Sequence, residues 1–309
     1  MIEVQGLTKS YGGITAIQNV SFHVKKGEVV GFLGPNGAGK STTMKIITGY
    51  MAPTQGLAKV AGFDVFENPL EVKKRIGYLP ETPPVYADMY VREYLRYVGQ
   101  LKGVDKNQLD KNIDMALEKT NLGSVQKRMI QNLSKGFRQR VGIAQALVSD
   151  PEVLILDEPT VGLDPKQVAE IRDLIKELKG QHTIILSTHI LPEVQATCER
   201  IIIINKGQIV AQDSLSHLSN LQTGRRQIIL KVRQAKEQFE SKLTSIAGVR
   251  KVHASTNNQE FNIETEDQEG IIDQVAKCAL DFELGVIEVS TVKANLEDVF
   301  IKLTYDQQA

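Results

Sequence analysis

The chain of 309 residues is 41% hydrophobic, which is enough to bury one large core or two smaller ones. Lys plus Arg and Asp plus Glu balance at 37 each, and this balance excludes an overall positive field that would gather nucleic acid or an acidic membrane surface. No apolar run approaches the ~20 residues that span a bilayer, and MIEVQGLTKS lacks the regions of a signal peptide, so we expect a cytoplasmic protein whose membrane role requires a partner.

Short apolar, β-branched runs alternate with helical stretches from Met1 to about Leu215. This alternation predicts an α/β domain with a largely parallel sheet, in which EVVGFLG, VLILD and TIILST are buried strands. The stretch RIIIINKGQIVAQD predicts a hairpin, with Asn205-Lys206-Gly207 as its turn.

The strand signal disappears between about Glu81 and Asn132. There VREYLRYVGQLKG and LDKNIDMALEKT show helical spacing and charge, and LSKGFRQR begins the return to the sheet. We therefore predict a helical subdomain, at about residues 81–150, inserted into the sheet domain.

A second, smaller alternation begins beyond about Gln222. Its order is strand, helix, strand, strand, helix, strand, which predicts a small α+β domain of ferredoxin-like type, followed by a last helix in NLEDVFIKL. Linker composition places a boundary near Ser214 to Arg226, so the predicted domains are 1–218 and 222–309. The second domain shows no ligand motif, and a regulatory or dimer-supporting role and a stabilising role both stay open.

GPNGAGKS, from Gly34 to Ser41, satisfies the phosphate-loop pattern G-x-x-x-x-G-K-[ST] between an apolar strand and a helix. In such a loop, backbone N–H groups surround phosphate oxygens, Lys40 reaches the β and γ phosphates, and the Ser41 hydroxyl ligates Mg²⁺. A glycine-rich turn without nucleotide is the alternative, and the strand–loop–helix context disfavours it. The predicted nucleotide-binding residues here are Gly34, Pro35, Asn36, Gly37, Ala38, Gly39, Lys40, Ser41 and Thr42.

VLILDEPT delivers two adjacent carboxyl groups at the end of a buried strand. Asp157 is predicted to bind Mg²⁺ through its water shell, and Glu158 to take a proton from the water that attacks the γ-phosphate. The next strand ends in STHI, where His189 is placed to contact the γ-phosphate. By itself an Asp-Glu pair is often solvated surface and a single histidine is often inert, but a phosphate loop upstream favours the catalytic interpretation.

LSKGFRQR opens a helix that lacks the acidic residues its N-terminal end should prefer. Ser134 is a good N-cap, yet Lys135, Arg138 and Arg140 follow without an acid, and Gly136 allows close approach to the backbone. This pattern predicts that an anion docks here. One chain is unlikely to direct both this helix and the phosphate-loop helix at one phosphate, whereas a two-fold dimer pairs each loop with the partner's helix.

Residues 1 to about 215 resemble the nucleotide-binding subunit of an ABC transporter, and the resemblance rests on several ordered motifs. LSKGF matches the LSGGQ signature, GLD (Gly162–Asp164) matches the D-loop, and His189 matches the switch histidine. Tyr11 in KSYGG matches the aromatic residue that stacks on adenine. The resemblance implies a P-loop NTPase fold, ATP and Mg²⁺ as cofactors, and head-to-tail pairing with an identical or related ATPase subunit.

The same resemblance implies that Ser134, Gly136 and Asp164 contact ATP held by the other subunit. Asp164 precedes Pro165 at a predicted helix start, so we also expect it to be an ordinary N-cap. An integral-membrane permease is the implied partner, which would hold this chain on the inner face of the cell membrane.

Two departures from the family pattern concern the signature and a loop glutamine. Lys135 replaces a signature glycine and Phe137 replaces its glutamine. IGYLPETPP carries Glu81 where the family usually has a glutamine that touches Mg²⁺ and relays to the permease. Glu81 and the closing NLEDVFIKL resemble the ABC-2 exporter group, which includes drug-export and gliding-motility subunits. A solvated loop glutamate ahead of Pro83-Pro84 is the alternative for Glu81.

Two other classes compete with a transporter ATPase. A P-loop kinase or metabolic ATPase shares the phosphate loop, but it has no need for LSKGF, GLD and His189 together. ABC-type ATPases of DNA repair or translation usually carry long coiled coils, paired cassettes or basic tracts, which are not evident here. We therefore expect an ATPase that drives a separate permease and has no nucleic-acid partner; the cargo is not encoded in this chain.

Overall fold

The computed structural model describes residues 1–220, 226–234, 236, 238–255, 259–266, 270–292 and 296–304. The chain divides into two compact units, Met1–Asp213 and Ser214–Ala309. Within the described residues, no helix is both long enough and apolar enough to cross a bilayer.

The elements of the first unit alternate as the sequence indicates. Its strands, in chain order, are β1 (Ile2–Tyr11), β2 (Ile14–Val24), β3 (Val29–Leu33), β4 (Gln55–Val60), β5 (Phe63–Asp64), β6 (Ile76–Leu79), β7 (Val153–Asp157), β8 (Thr183–Thr188), β9 (Arg200–Asn205) and β10 (Gln208–Ser214). Its helices are α1 (Lys40–Ile47), α2 (Pro69–Arg75), α3 (Val91–Leu101), α4 (Lys106–Lys119), α5 (Lys135–Leu147), α6 (Pro165–Leu178) and α7 (Leu191–Thr197).

The main sheet has the order β10-β9-β3-β8-β7-β6, and the pairs between β9 and β6 are parallel. The predicted parallel sheet is therefore confirmed. Strands β3, β7 and β8 are buried along their whole length, as expected for strands covered on both faces. Leu33 pairs with Thr188, and Asp157 pairs with Ser187. The polar residues at the carboxyl ends of these strands therefore lie at one edge of the sheet. Lys206 and Gly207 both have positive φ in the β9–β10 turn, which fits the predicted hairpin.

A second sheet, β2-β1-β4-β5, is antiparallel and was not predicted. Helix α1 packs against both sheets, because Ile46 and Ile47 share a core cluster with Phe22 of β2, Val60 of β4 and Ile155 of β7. The helix that follows the phosphate loop is therefore fixed from two sides.

Helices α3, α4 and α5 form the helical insertion between β6 and β7, together with short 3₁₀ turns at Gly123–Val125 and Ile130–Asn132. Close approach of α3 to α4 depends on Gly99, where an added Cβ would lie 2.5 Å from Cδ1 of Leu109. The C-terminal half of α5 packs on β6, so the insertion is attached to the edge of the main sheet.

The second unit has a βαββαβ order. Its elements are α8 (Leu215–Asn220), β11 (Arg226–Val232), α9 (Phe239–Thr244), β12 (Val249–Ala254), β13 (Glu260–Thr265), α10 (Ile271–Asp281), β14 (Val286–Val292) and α11 (Leu296–Thr304). The sheet order β12-β13-β11-β14, with antiparallel neighbours, is that of the predicted ferredoxin-like fold. Its core contains the edge-to-face pair Phe239 and Phe261, with ring centroids 5.1 Å apart. Asn295, the first residue of the predicted last helix, lies outside the described residues.

Candidate functional site

Backbone carbonyl groups of the phosphate loop bind the side chain of its own lysine, Lys40. Lys40 is 5% exposed, and its Nζ donates to the carbonyl oxygens of Gly34 at 2.8 Å and Pro35 at 3.3 Å. The carbonyl of Ala38 accepts from the amide of Gly207, which fixes the loop against the β9–β10 turn. Because three loop carbonyl groups are held in this way, the chain around Lys40 is pre-ordered.

Gly39 allows the close approach that starts α1. Its φ is 105°, and an added Cβ would lie 2.5 Å from Cγ2 of Ile17 and 2.9 Å from the carbonyl oxygen of Ala16. Any side chain there would meet both an unfavourable conformation and a backbone oxygen. The tight turn therefore requires glycine, as a phosphate cradle does.

Asp157 ends β7 with a side chain that is almost completely buried. Its Oδ1 accepts from the Ser187 hydroxyl at 2.7 Å. Burial raises the pKa of Asp157, and the neighbouring Glu158 and Glu81 raise it further, whereas the Ser187 hydrogen bond and the nearby Ser41 hydroxyl oppose the rise. A cation beside Asp157 would favour its charged form.

Glu158 follows Asp157 in a left-handed conformation, with φ of 50°, and it is 5% exposed. Both of its carboxyl oxygens lie 3.0 Å from Nδ1 of His189, and Oε1 lies 3.4 Å from Nζ of Lys40. The Thr188 hydroxyl lies 3.3 Å from Oε2. Positive φ is uncommon outside glycine, so this turn directs the carboxyl group toward the phosphate loop at the cost of local strain.

These side chains meet in one cavity at the edge of the main sheet. Besides Ala16 and Val161, the cavity is lined by Asn36, Gly37, Gly39, Lys40, Ser41, Thr42, Glu81, Glu158 and His189. Glu81 is exposed and follows β6, and it reaches this cavity beside Ser41. The structure therefore brings most of the phosphate-loop residues together with Glu81, Glu158 and His189, whereas Asp157 is not among the residues that line the cavity. No group of three or more His, Cys, Asp or Glu placed to hold a metal ion occurs among the described residues.

Tyr11 does not line this cavity. It is the last residue of β1, 44% exposed, with its hydroxyl 2.7 Å from Sδ of Met51 and Nζ of Lys9 5.3 Å from its ring centroid. The ring is partly exposed and therefore accessible for stacking, but the structure does not place it among the residues of this cavity.

The signature segment, Leu133–Phe137, lies elsewhere in the unit. Ser134 is the N-cap of α5 and accepts from the Phe137 amide at 3.4 Å, which confirms the predicted cap. Gly136 is covered by Gln167 of α6, whose Oε1 would lie 2.4 Å from an added Cβ. Arg140 bridges to Glu170 of α6 and has its guanidinium carbon 5.9 Å from the Phe137 ring centroid.

Asp164 caps α6 and accepts from the Gln167 amide at 2.9 Å, as predicted, with Pro165 at the first position. Lys135 extends over the D-loop of its own chain, since its Nζ occupies the space that a Cβ on Gly162 would need. Gly136, Phe137 and Asp164 line a second cavity. The phosphate-loop cavity contains no residue of the signature segment, so the predicted site residues of one chain lie in two separate cavities.

Three buried polar residues beside the first cavity were not predicted. Thr160 donates to Oε1 of Glu193, and the Thr188 hydroxyl lies 3.0 Å from Oε2 of the same residue. Glu193 is 2% exposed in the first turn of α7. In the sequence, only its position between the apolar residues Leu191 and Val194 could have suggested burial.

Comparison with known proteins identifies the family. The sequence model of the ABC transporter family (ABC_tran) matches residues 17–161. The bacitracin transport ATP-binding protein BcrA of Bacillus licheniformis is 33% identical over 305 residues, covering 98% of this chain and 97% of that protein. The linearmycin resistance ATP-binding protein LnrL of Bacillus subtilis (strain 168) is 32% identical, covering 98% of each chain. The chain belongs to the ABC transporter ATP-binding proteins.

A solved structure of the same family agrees with this result. The dimeric, post-hydrolysis structure of the ATP-binding cassette MJ0796, bound to ADP and Pi, has a TM-score of 0.64 at 27% identity and covers 70% of this chain and 99% of that one. The predicted fold class and the predicted function, an ATP-binding subunit of an ABC transporter with ATPase activity, are confirmed.

Proposed function

We propose that this ABC ATPase works as a head-to-tail dimer, a homodimer or a pair with a related subunit, in which each ATP lies between two chains. The observation that carries the proposal is the separation of the two cavities. One contains the phosphate loop, Glu158 and His189, and the other contains Gly136 and Asp164. A two-fold arrangement joins the first cavity of each chain to the second cavity of its partner and produces two equivalent sites from one self-complementary surface.

Within one chain, the phosphate loop holds the nucleotide. Backbone N–H groups of residues 36–40 face the phosphate oxygens, Lys40 supplies positive charge to the β and γ phosphates, and Thr42 lies at the N-terminal end of α1. Lys40 contacts Glu158 across the cavity, so a bound γ-phosphate would take the place of Glu158 as the partner of the lysine. Tyr11 supplies an exposed ring for stacking on adenine.

Three oxygen donors at and beside the cavity fit a magnesium ion. Mg²⁺ prefers oxygen ligands, retains several waters and is usually held by one or two protein groups together with phosphates. Ser41 and Glu81 line the cavity, and Asp157 at the end of β7 lies close enough for both to shift its pKa, Glu81 upward and Ser41 downward. We assign the ion to Ser41 and Asp157, with Glu81 in its outer shell. When bound, Mg²⁺ neutralises phosphate charge.

Glu158 is the proposed general base. It is buried, is directed into the cavity by a strained turn, and contacts Thr188 and His189. It would orient the attacking water and accept its proton, while His189 orients Glu158 and contacts the γ-phosphate. The imidazole contact through Nδ1 leaves Nε2 available for that phosphate.

The partner's ATP is the anion expected at the signature segment. Ser134 and Lys135 are exposed at the start of α5 and offer a hydroxyl group and a positive charge, to which the N-terminal end of the helix dipole adds, whereas Gly136 is covered by Gln167. Asp164 lies beside Gly136 in the same cavity, which supports a contact across the dimer. Closure around ATP would then convert binding energy into motion.

We infer that this motion drives a separate integral-membrane permease in the direction of export. The full-length relatives named for bacitracin transport and linearmycin resistance support export of antibiotic-type compounds. The chain would lie on the inner face of the membrane, attached through the permease. Glu81 joins the cavity to the helical insertion and is the proposed relay to that partner.

The Glu158→Gln variant tests the dimer and the base together. The amide keeps the size of the carboxyl group but cannot accept the proton, so ATP binds and is not hydrolysed. We expect turnover to fall by at least about a thousandfold and an ATP-bound dimer to accumulate. Steady-state hydrolysis and light scattering after size exclusion measure the two effects.

Lys40→Ala is the control for this experiment, because it removes the lysine proposed to hold the phosphates, together with its contact to Glu158, and keeps the carboxyl group of the base. It should remain monomeric with ATP. Hydrolysis near the wild-type rate in Glu158→Gln would remove Glu158 from the role of base. A monomeric Glu158→Gln at saturating ATP would contradict the dimer.

A further inference from the structure

Glu193 connects two segments of the ATP site through buried hydrogen bonds. Its carboxyl oxygens take one hydroxyl each: Thr160 donates to Oε1, and Thr188 lies 3.0 Å from Oε2. Thr160, Thr188 and Glu193 are 4%, 0% and 2% exposed. Solvent therefore cannot replace a lost partner, and breaking either contact leaves a buried polar group unsatisfied.

The two hydroxyl groups belong to different segments of the ATP site. Thr160 begins a tight turn, in which the amide of Leu163 donates to its carbonyl at 3.2 Å, and this turn leads directly to Asp164. Thr188 ends β8 and precedes His189. One carboxyl group therefore links the strand end that presents His189 with the turn that presents Asp164.

The Thr188 hydroxyl also faces Glu158. It lies 3.3 Å from Oε2 of Glu158 and accepts from the Ile190 amide at 3.1 Å. A hydroxyl has one hydrogen to donate, so the carboxyl groups of Glu158 and Glu193 compete for it. A change in the contact between Thr188 and Glu158 therefore alters the hydrogen bond between Thr188 and Glu193.

We propose that Glu193 is a positioning residue that couples His189 and Glu158 of one ATP site to Asp164 of the same chain. Asp164 faces the other ATP site in the head-to-tail dimer, on which this inference rests. Glu193 touches neither nucleotide nor water in this mechanism. It keeps the D-loop in the orientation that lets the dimer close, and it transmits the state of one site to the next.

Thr160→Val is the variant that isolates this link, because valine keeps the branched shape and removes only the hydroxyl. Thr197→Val is the matched control. The Thr197 hydroxyl, also buried, donates to the backbone oxygen of Glu193 at 2.7 Å, so this variant removes a hydrogen bond to the same residue without breaking the carboxyl link. Glu193→Gln is the conservative rescue, since its amide can accept from one threonine and donate to the other.

Two measurements separate coupling from stability. In a Glu158→Gln background, ATP-dependent dimerisation is followed by sedimentation and ADP binding to the monomer by calorimetry. In a wild-type background, kcat and KM for ATP are measured. For Thr160→Val we expect about tenfold more ATP for half-dimerisation, about tenfold lower kcat and unchanged ADP affinity, the effect of losing one hydrogen bond to a charged group.

Thr197→Val and Glu193→Gln should stay within about threefold of the parent in dimerisation and kcat, even where Tm falls. Equal effects of Thr160→Val and Thr197→Val would show that the cluster is only structural and would overturn the inference. A fall in kcat of tenfold in Glu193→Gln, with Tm unchanged, would also contradict the bridging role. If the Glu158→Gln parent does not dimerise with ATP, the proposed dimer itself fails, and this inference fails with it.

Discussion

At the scale of single residues, Glu158 is fixed by groups that come from three parts of the chain. Lys40 belongs to the phosphate loop, His189 follows β8, and the strained backbone of Glu158 itself follows β7. Each of these positions depends on a strand of one parallel sheet, so small shifts between strands would change the distances. The position of Glu158, the proposed base, therefore depends on the rigidity of the sheet.

Glu81 is the residue whose chemistry departs most from the family pattern. A carboxyl group offers oxygen to a metal shell as an amide does, but it lacks the amide donors and adds negative charge near the phosphates. Its effect on the pKa of Asp157 shows that this charge reaches the proposed Mg²⁺ site. We interpret Glu81 as a coupling residue and not as the base.

The prediction for Glu81 compares two variants. Glu81→Gln should leave Mg²⁺-ATP binding within about threefold of wild type, because an oxygen donor remains. Glu81→Ala should keep basal hydrolysis but lose most of its stimulation by the permease. ATPase activity of the subunit with and without its reconstituted partner measures the difference. If Glu81→Ala keeps full partner-stimulated hydrolysis and transport, Glu81 is only an exposed loop residue and the prediction is wrong.

At the scale of elements, the packing of α5 on β6 sets the position of the signature segment. Gly77 of β6 faces α5, and an added Cβ would lie 2.1 Å from the carbonyl oxygen of Ala146 and 2.9 Å from Cγ of Pro151. A backbone oxygen cannot rotate away as a side chain can. A larger residue at this position would therefore push α5 from the sheet.

Gly77→Ala should destabilise the protein by about 1–3 kcal/mol, as expected for overpacking of a closed contact. Gly123→Ala is the matched control, since nothing lies within 4 Å of its added Cβ, and it should change stability by less than about 0.5 kcal/mol. Denaturant unfolding of both variants gives the free energies. Equal free energies of unfolding for the two variants would mean that α5 can move away from β6 without loss of stability, which would contradict the prediction.

Elements with strong local signals were predictable from the sequence. The buried strands β3, β7 and β8 are continuous apolar runs, and the caps Ser134 and Asp164 show the residue types that accept from helix N–H groups. In the antiparallel sheet, the pairing of β1 with β4 joins residues about fifty positions apart, which local patterns do not encode. The β1–β2 pair is local, and Gly12-Gly13 between Tyr11 and Ile14 is the turn signal that could have predicted it. Glu193 was missed for a similar reason, because its partners come from β8 and from the turn after β7.

At the scale of the whole molecule, the division of the chemistry between two cavities is the feature that determines function. The cavity with the phosphate loop has the proposed base, Glu158, and the proposed metal ligand Ser41, and the cavity with Asp164 has the N-terminal end of α5. In the proposed dimer, each cavity supplies half of an ATPase site. A transporter needs ATP to cause a large movement, and a shared ATP makes dimer closure depend directly on the nucleotide.

Complementation between two defective chains tests this central claim most directly. Both chains carry Glu158→Gln to prevent hydrolysis; one also carries Lys40→Ala and the other Ser134→Arg, and each has a different affinity tag. If ATP is shared, a mixed pair places both lesions in one site and leaves the other intact, whereas every homodimer has two damaged sites.

The measurement is ATP-dependent capture of one tag by the other, with a pair that carries only Glu158→Gln as the positive control. The account predicts that capture returns when the two defective chains are mixed with ATP and is absent for each chain tagged both ways and mixed with itself. No capture from the mixture, while the control pair is captured, would contradict an ATP site built across two chains.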